Sequence, residues 1–234
     1  MTELAAFGYE DRGTALTGWL ARPEGTPRGA ILVFPTIANP LPHTKERTRR
    51  LAQAGFVALL ADFYGAPVAD FAAAGPLAEA LRSDVDHYRA RLKAALEALR
   101  GAAPGLKASA VGFCMGGQAA LELAREGEDL ALVASFHGVF TTDRPAHADA
   151  AHKPRVLLLH GDADPLAPRE QVLALWDELD AAGYRWHHHA YSGVKHGFTD
   201  PEADRRGLAA VGYDASADRQ SWAALLGMLD ELYG

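Results

Sequence analysis

Three residues of this chain have the types and settings to do chemistry together: Cys114, Asp164 and His196. Cys114 stands in Gly112-Phe113-Cys114-Met115-Gly116-Gly117, between a short apolar stretch (108–113) and a run of helix formers (118–125). A strand that enters a helix through G-x-C-x-G-G makes a turn sharp enough to lift a nucleophile clear of the sheet. Gly112 and Gly116, two before and two after the cysteine, leave out side chains that would collide in such a turn. The turn also aims the thiol at a helix N-terminus, whose N–H groups and dipole favour a thiolate and then an oxyanion. Asp164 follows the run Val156-Leu157-Leu158-Leu159 in His160-Gly161-Asp162-Ala163-Asp164-Pro165, and His196 stands in Ser192-Gly193-Val194-Lys195-His196-Gly197-Phe198. The glycines around His196 predict a mobile loop. In this order a thiol, a carboxylate and an imidazole give a nucleophile, an orienting acid and a proton carrier that works near neutral pH. Asp164 is the better acid of its motif, because Asp162 follows Gly161 directly and is spent on the turn.

Positioning these residues is the work of alternating strands and helices. Residues 4–9 and 15–21 read as an antiparallel pair turning at Asp11-Arg12-Gly13. The runs 30–34 and 56–61 are continuously apolar, as strands buried on both faces of a parallel sheet must be, with a helix between them over 44–54. Residues 63–81 are Ala-rich and broken by Gly and Pro, and read as a loop with a short helix, a small lid. A helix follows over 82–100, then the strand of Cys114 and its helix. Strands over 130–136, 155–160 and 185–191 and helices over 168–182 and 216–233 complete the chain. The pattern is a three-layer α/β sandwich with a mostly parallel central sheet. Asp164 and His196 both fall just past strand ends, on the edge where open α/β sheets place their sites.

Length and composition narrow the function classes. The 234 residues, 49% of them hydrophobic and with no linker or low-complexity run, read as a single domain with a sizeable core. A formal charge of -7 with no basic stripe argues against nucleic acid. One cysteine excludes an internal disulfide and suits a reducing, cytoplasmic setting. The start, Met1-Thr2-Glu3-Leu4, lacks the basic and apolar regions of a signal peptide, and no apolar run has membrane-helix length.

Taken together, G-F-C-M-G-G, H-G-D-A-D and K-H-G-F resemble the motifs of the dienelactone hydrolase family of α/β-hydrolases, and the resemblance runs from Gly29 to Trp222. It implies an α/β-hydrolase fold and hydrolysis of small esters or lactones through a thioester on Cys114, with Asp164 as acid and His196 as base. It further implies an oxyanion hole made by the backbone N–H groups of Ile37 and Met115. The expectation for the chain itself is no cofactor, no metal, and a monomer or homodimer. Two positions depart from the family pattern. Thr36 stands where well-known members carry a glutamate beside the thiol. Their substrate-binding arginine after the histidine is absent from His196-Gly197-Phe198-Thr199-Asp200. A non-catalytic hydrolase-fold protein that binds a small ligand is the competing expectation.

Smaller candidates complete the reading. Thr36, Asn39 and His137 are candidate pocket-lining residues. His187 and His189 share one face of a strand and, without a third ligand, read as a solvated face rather than a metal site. Of Arg82, Arg89 and Arg91, near the lid, at least two read as helix-surface charge.

Overall fold

The computed structural model describes residues 2–234. Its strands are β1 (Leu4–Asp11), β2 (Thr14–Ala21), β3 (Gly29–Phe34), β4 (Phe56–Leu60), β5 (Ala108–Phe113), β6 (Leu132–Phe136), β7 (Arg155–Gly161) and β8 (Trp186–Tyr191). Among the described residues the α-helices are α1 (Pro42–Gln53), α2 (Phe71–Arg82), α3 (Val85–Ala102), α4 (Met115–Arg125), α5 (Arg169–Ala182) and α6 (Ala215–Tyr233). The strands form one sheet in the order β1-β2-β4-β3-β5-β6-β7-β8. β3 with β4, β6 with β7 and β7 with β8 run parallel, while β1 with β2 and β2 with β4 run antiparallel. This is the mostly parallel α/β architecture that the alternation predicts. The chain divides into two compact units, Met1–Ala110 and Val111–Gly234.

In the first unit, β1 and β2 turn through Arg12 (φ 50) and Gly13 (φ 79), the pair of left-handed residues a tight hairpin needs. β3 and β4 are buried along their whole length, as their unbroken apolar runs predict. Helix α1 packs on β4 and β2, and α3 packs on β1 and β3. The 63–81 stretch is more regular than expected. Residues 63–70 are irregular, but Asp70 then caps α2 by accepting from the Ala73 N–H at 2.8 Å. Ala74, Ala78 and Leu81 bury one face of α2 despite Pro76 inside the helix. Helix α3 starts at Val85 rather than at 82, because the Asp84 carboxylate accepts from the Asp86 and His87 N–H groups.

Two of the three arginines near this region are buried, which corrects the surface reading. Arg91 Nε donates to Asp11 Oδ2 at 2.7 Å and Nη1 to the Phe63 carbonyl at 2.6 Å. It braces the irregular segment from inside, and Arg89 on the same helix is also buried.

In the second unit, β6 and all but the first residue of β7 are buried, whereas β8 at the sheet edge is partly open. His187 and His189 are exposed on that edge strand. Helix α5 lays Trp176 on Trp186 of β8 with ring centres 5.0 Å apart. Helix α6 buries Trp222, Leu225 and Leu229. All eleven residues of α4 are buried, Glu122 and Arg125 included. Arg125 donates to Glu122 (2.8 Å), to both carboxylate oxygens of Glu178 (2.8 and 2.9 Å) and to the Phe140 carbonyl (2.9 Å). A helix that starts at the cysteine is thereby fixed at its far end by a buried ion cluster.

Candidate active site

The site lies within the second unit and begins with a strained backbone. Cys114 is the N-cap of α4 with φ 58 and ψ -121, a conformation open to glycine and costly to a residue with a Cβ. It persists because the surroundings leave no alternative. The Cys114 N–H donates to the Phe136 carbonyl at 3.0 Å and to His137 Nδ1 at 3.2 Å. The Cys114 carbonyl accepts from the Gly117 N–H at 2.8 Å. A Cβ on Gly112 would lie 1.8 Å from the Gly116 carbonyl oxygen, so Gly112 is obligatory, as the sequence implies. Gly117 carries the second restriction. A Cβ there would lie 2.5 Å from Ser135 Oγ and 2.8 Å from Gly138 Cα. The sequence signal for this contact was the second glycine of Gly116-Gly117, together with Gly138 after β6.

The acid and the base meet beyond the ends of β7 and β8. Asp164 Oδ2 accepts from His196 Nδ1 at 2.7 Å, with both side chains buried. The other carboxylate oxygen, Oδ1, accepts from the Leu166 N–H at 2.8 Å, which fixes the carboxylate plane. Asp162 goes elsewhere: its two oxygens are gripped by the Arg169 guanidinium at 2.8 and 2.7 Å. The loop that carries His196 passes directly over Gly161, where a Cβ would lie 2.5 Å from the Val194 carbonyl oxygen. That loop is tethered, against the mobility its glycines suggest. The Ala163 N–H donates to the Val194 carbonyl (2.9 Å), His196 N–H to the Ala210 carbonyl (3.2 Å) and Gly212 N–H to the His196 carbonyl (3.1 Å). Asp200, four residues on, is ion-paired with Arg206.

Electrostatics couple the histidine to the cysteine. Burial by itself would lower the pKa of the His196 ring. The Cys114 thiolate and the Asp164 carboxylate outweigh it and raise His196 from its ordinary 6.5 to about 10. The second ring nitrogen, Nε2, is sealed from solvent. Cys114 itself is half-buried. A thiolate held against an imidazolium at a helix N-terminus can attack an electrophilic carbon, and the imidazolium can protonate what leaves.

The remaining candidates fall in two places. His137 is buried behind the Cys114 turn, with Nε2 2.9 Å from Thr199 Oγ1 and its ring edge-on to His196 (centres 5.2 Å). Thr36, Ile37 and Asn39 belong to the first unit. The Thr36 hydroxyl accepts from the Ala38 N–H at 3.3 Å, and the Ile37 carbonyl accepts from Tyr64 Oη at 2.9 Å. Asn39 (φ 65) donates to Asp62 Oδ1 at 2.7 Å and accepts from the Phe63 N–H at 3.0 Å. Asn39 also lines a first-unit cleft of about 410 Å³ with Trp19, Lys45 and Asp62. Met115 opens α4. No cluster of three or more metal-ligating side chains occurs among the described residues, and no described helix is long and apolar enough to cross a membrane.

The whole chain (100%) superposes on 99% of a dienelactone-hydrolase-like promiscuous phosphotriesterase from metagenomic libraries, with a TM-score of 0.93 and 36% identity. An uncharacterised protein of Caenorhabditis elegans is 35% identical over 146 residues, which is 61% of this chain and 92% of that protein. A putatively assigned dienelactone hydrolase from Klebsiella pneumoniae shares the α/β-hydrolase fold, with a TM-score of 0.75, 20% identity and coverage of 99% of each chain. The model of the dienelactone hydrolase family matches residues 16–233, and this chain, a hydrolase by that membership, belongs to the dienelactone hydrolase family.

Proposed function

We propose that the protein hydrolyses small carboxylic esters or lactones through a thioester on Cys114. The observation that carries this reading is the charge coupling of His196 to Cys114 at a strained helix N-terminus, with Asp164 held on the opposite ring nitrogen. The thiolate attacks the carbonyl carbon and forms a C–S bond. Negative charge develops on the carbonyl oxygen, toward the N–H of Met115 at the head of α4. The imidazolium then gives its proton to the leaving alkoxide as the C–O bond breaks. Acylation removes the thiolate charge, one of the two anions that raise His196, so the ring falls toward its ordinary pKa and becomes a base. It takes a proton from water, hydroxide adds to the thioester, and the thiolate leaves with the acid released.

A second reading, attack on phosphorus in a neutral phosphotriester, is favoured by the similar metagenomic phosphotriesterase. The test is a panel of p-nitrophenyl esters, unsaturated lactones and diethyl p-nitrophenyl phosphate, run with wild type and Cys114→Ala. Turnover of esters or lactones that disappears in Cys114→Ala supports the first reading. Turnover of the phosphotriester alone supports the second. Equal rates for both proteins overturn both readings.

A further inference from the structure

We infer that His137 is a positioning residue that ties the backbone of Cys114 to the loop carrying His196. The inference rests on the reading of Cys114 as the nucleophile. His137 follows β6, is 1% exposed, and takes a left-handed backbone (φ 39) that histidine adopts at a steric cost. Its main-chain N–H donates to the Leu159 carbonyl of β7 at 2.8 Å, so the residue is anchored before its side chain is considered.

The two ring nitrogens then do different jobs. Nδ1 stands 3.2 Å from the Cys114 N–H, a donor, and must therefore be the bare, accepting nitrogen. That assigns the proton to Nε2, which donates to Thr199 Oγ1 at 2.9 Å. Thr199 is fully buried and lies three residues after His196. The ring packs edge-on against His196 and Phe198, with centres 5.2 Å away in each case. One neutral imidazole thus spans the nucleophile's turn and the base's loop, two segments more than 80 residues apart in sequence. A charged ring would lose the Cys114 contact, because an imidazolium has no acceptor. The tautomer is part of the device.

Thr199 provides the cleanest test, because shape and hydrogen bonding can be separated there. Thr199→Val keeps the volume and removes the hydroxyl. Thr199→Ser keeps the hydroxyl and removes a methyl. With a p-nitrophenyl ester, Thr199→Val is expected to lose about tenfold or more in kcat with KM little changed, while Thr199→Ser stays within about threefold of wild type. A residue that only fills space gives the reverse order, and that result overturns the inference. Long-range nitrogen NMR of the wild-type protein, independent of activity, reads the tautomer: His137 is expected bare at Nδ1 and protonated at Nε2. The opposite tautomer, or a doubly protonated ring at neutral pH, also overturns it. A Cys114→Ala protein that keeps its activity would instead remove the nucleophile reading, so the two failures are separable.

Discussion

Asp162 and Asp164 stand two residues apart and hold opposite kinds of partner: Asp162 is gripped by Arg169 near the surface, and Asp164 meets the buried ring of His196 at 2.7 Å. One motif supplies a surface ion pair and a carboxylate of the candidate site, and the side-chain partners rather than the spacing decide which is which.

Substituting each acid separates the roles. Asp164→Asn leaves His196 without a charge partner and with an ambiguous tautomer, and is expected to lower kcat by about 10³–10⁴-fold. Asp162→Asn removes a surface pair and should leave kcat and Tm close to wild type. Steady-state kinetics and melting curves on both variants check the division. A kinetic loss that follows Asp162 would reverse it.

The thiol should not be replaceable by a hydroxyl. Serine stays protonated beside His196, so Cys114→Ser loses the ion pair of the proposed mechanism and is expected to retain less than about 1% of wild-type kcat. The comparison is made at pH 7 on the best ester of the panel. A serine enzyme as fast as wild type would mean that the site works by general-base activation.

Activity should have an alkaline limit set by His196. In the proposed mechanism the imidazolium is the acid for the leaving group, and it is lost as pH rises through about 10, so kcat/KM should fall there. Asp164 contributes to the raised value, so in Asp164→Asn this limb should move to lower pH. Stability has the same sign. The folded-state pKa lies above the unfolded value, so the His196 contribution is full below about 6.5 and is lost through about 10. Denaturant titrations of wild type and His196→Gln at several pH values should converge at the alkaline end.

Arg125 is the expensive residue to lose in the second unit. Arg125→Met leaves the Glu122 carboxylate buried without its cation, and is expected to cost about 3–5 kcal/mol. Adding Glu122→Gln should recover part of that loss. Urea denaturation of the single and double variants measures both steps.

Much of this was legible in the sequence, for identifiable reasons. The strands β3 and β4 are apolar throughout because both faces are buried, and such runs, with the shorter ones at 132–134 in β6 and 156–159 in β7, are hard to mistake. The strand-end placement of Cys114, Asp164 and His196 was legible because turns at strand ends constrain residue type as well as position. Side-chain partners across long sequence separations were not legible. The burial of Arg91 depends on Asp11, 80 residues away, and on the Phe63 carbonyl, neither of which a helical wheel contains. His137 looked like a pocket residue because it ends a strand, while its hydrogen bonds to the Cys114 turn and to Thr199 emerge only from the fold. The histidine loop looked loose because glycine signals freedom. Gly161 instead permits a close backbone approach that fastens that loop down.

The backbone of Cys114 sets folding and chemistry against each other at one position. A conformation natural to glycine is imposed on a residue that carries a sulfur, at a cost of about 1–3 kcal/mol. Erasing the side chain is therefore energetically downhill: Cys114→Gly should melt higher than the parent while hydrolysing nothing. A screen for heat tolerance that ignores activity would therefore accept that inactive variant. Engineering for heat tolerance should look for its gains away from residue 114.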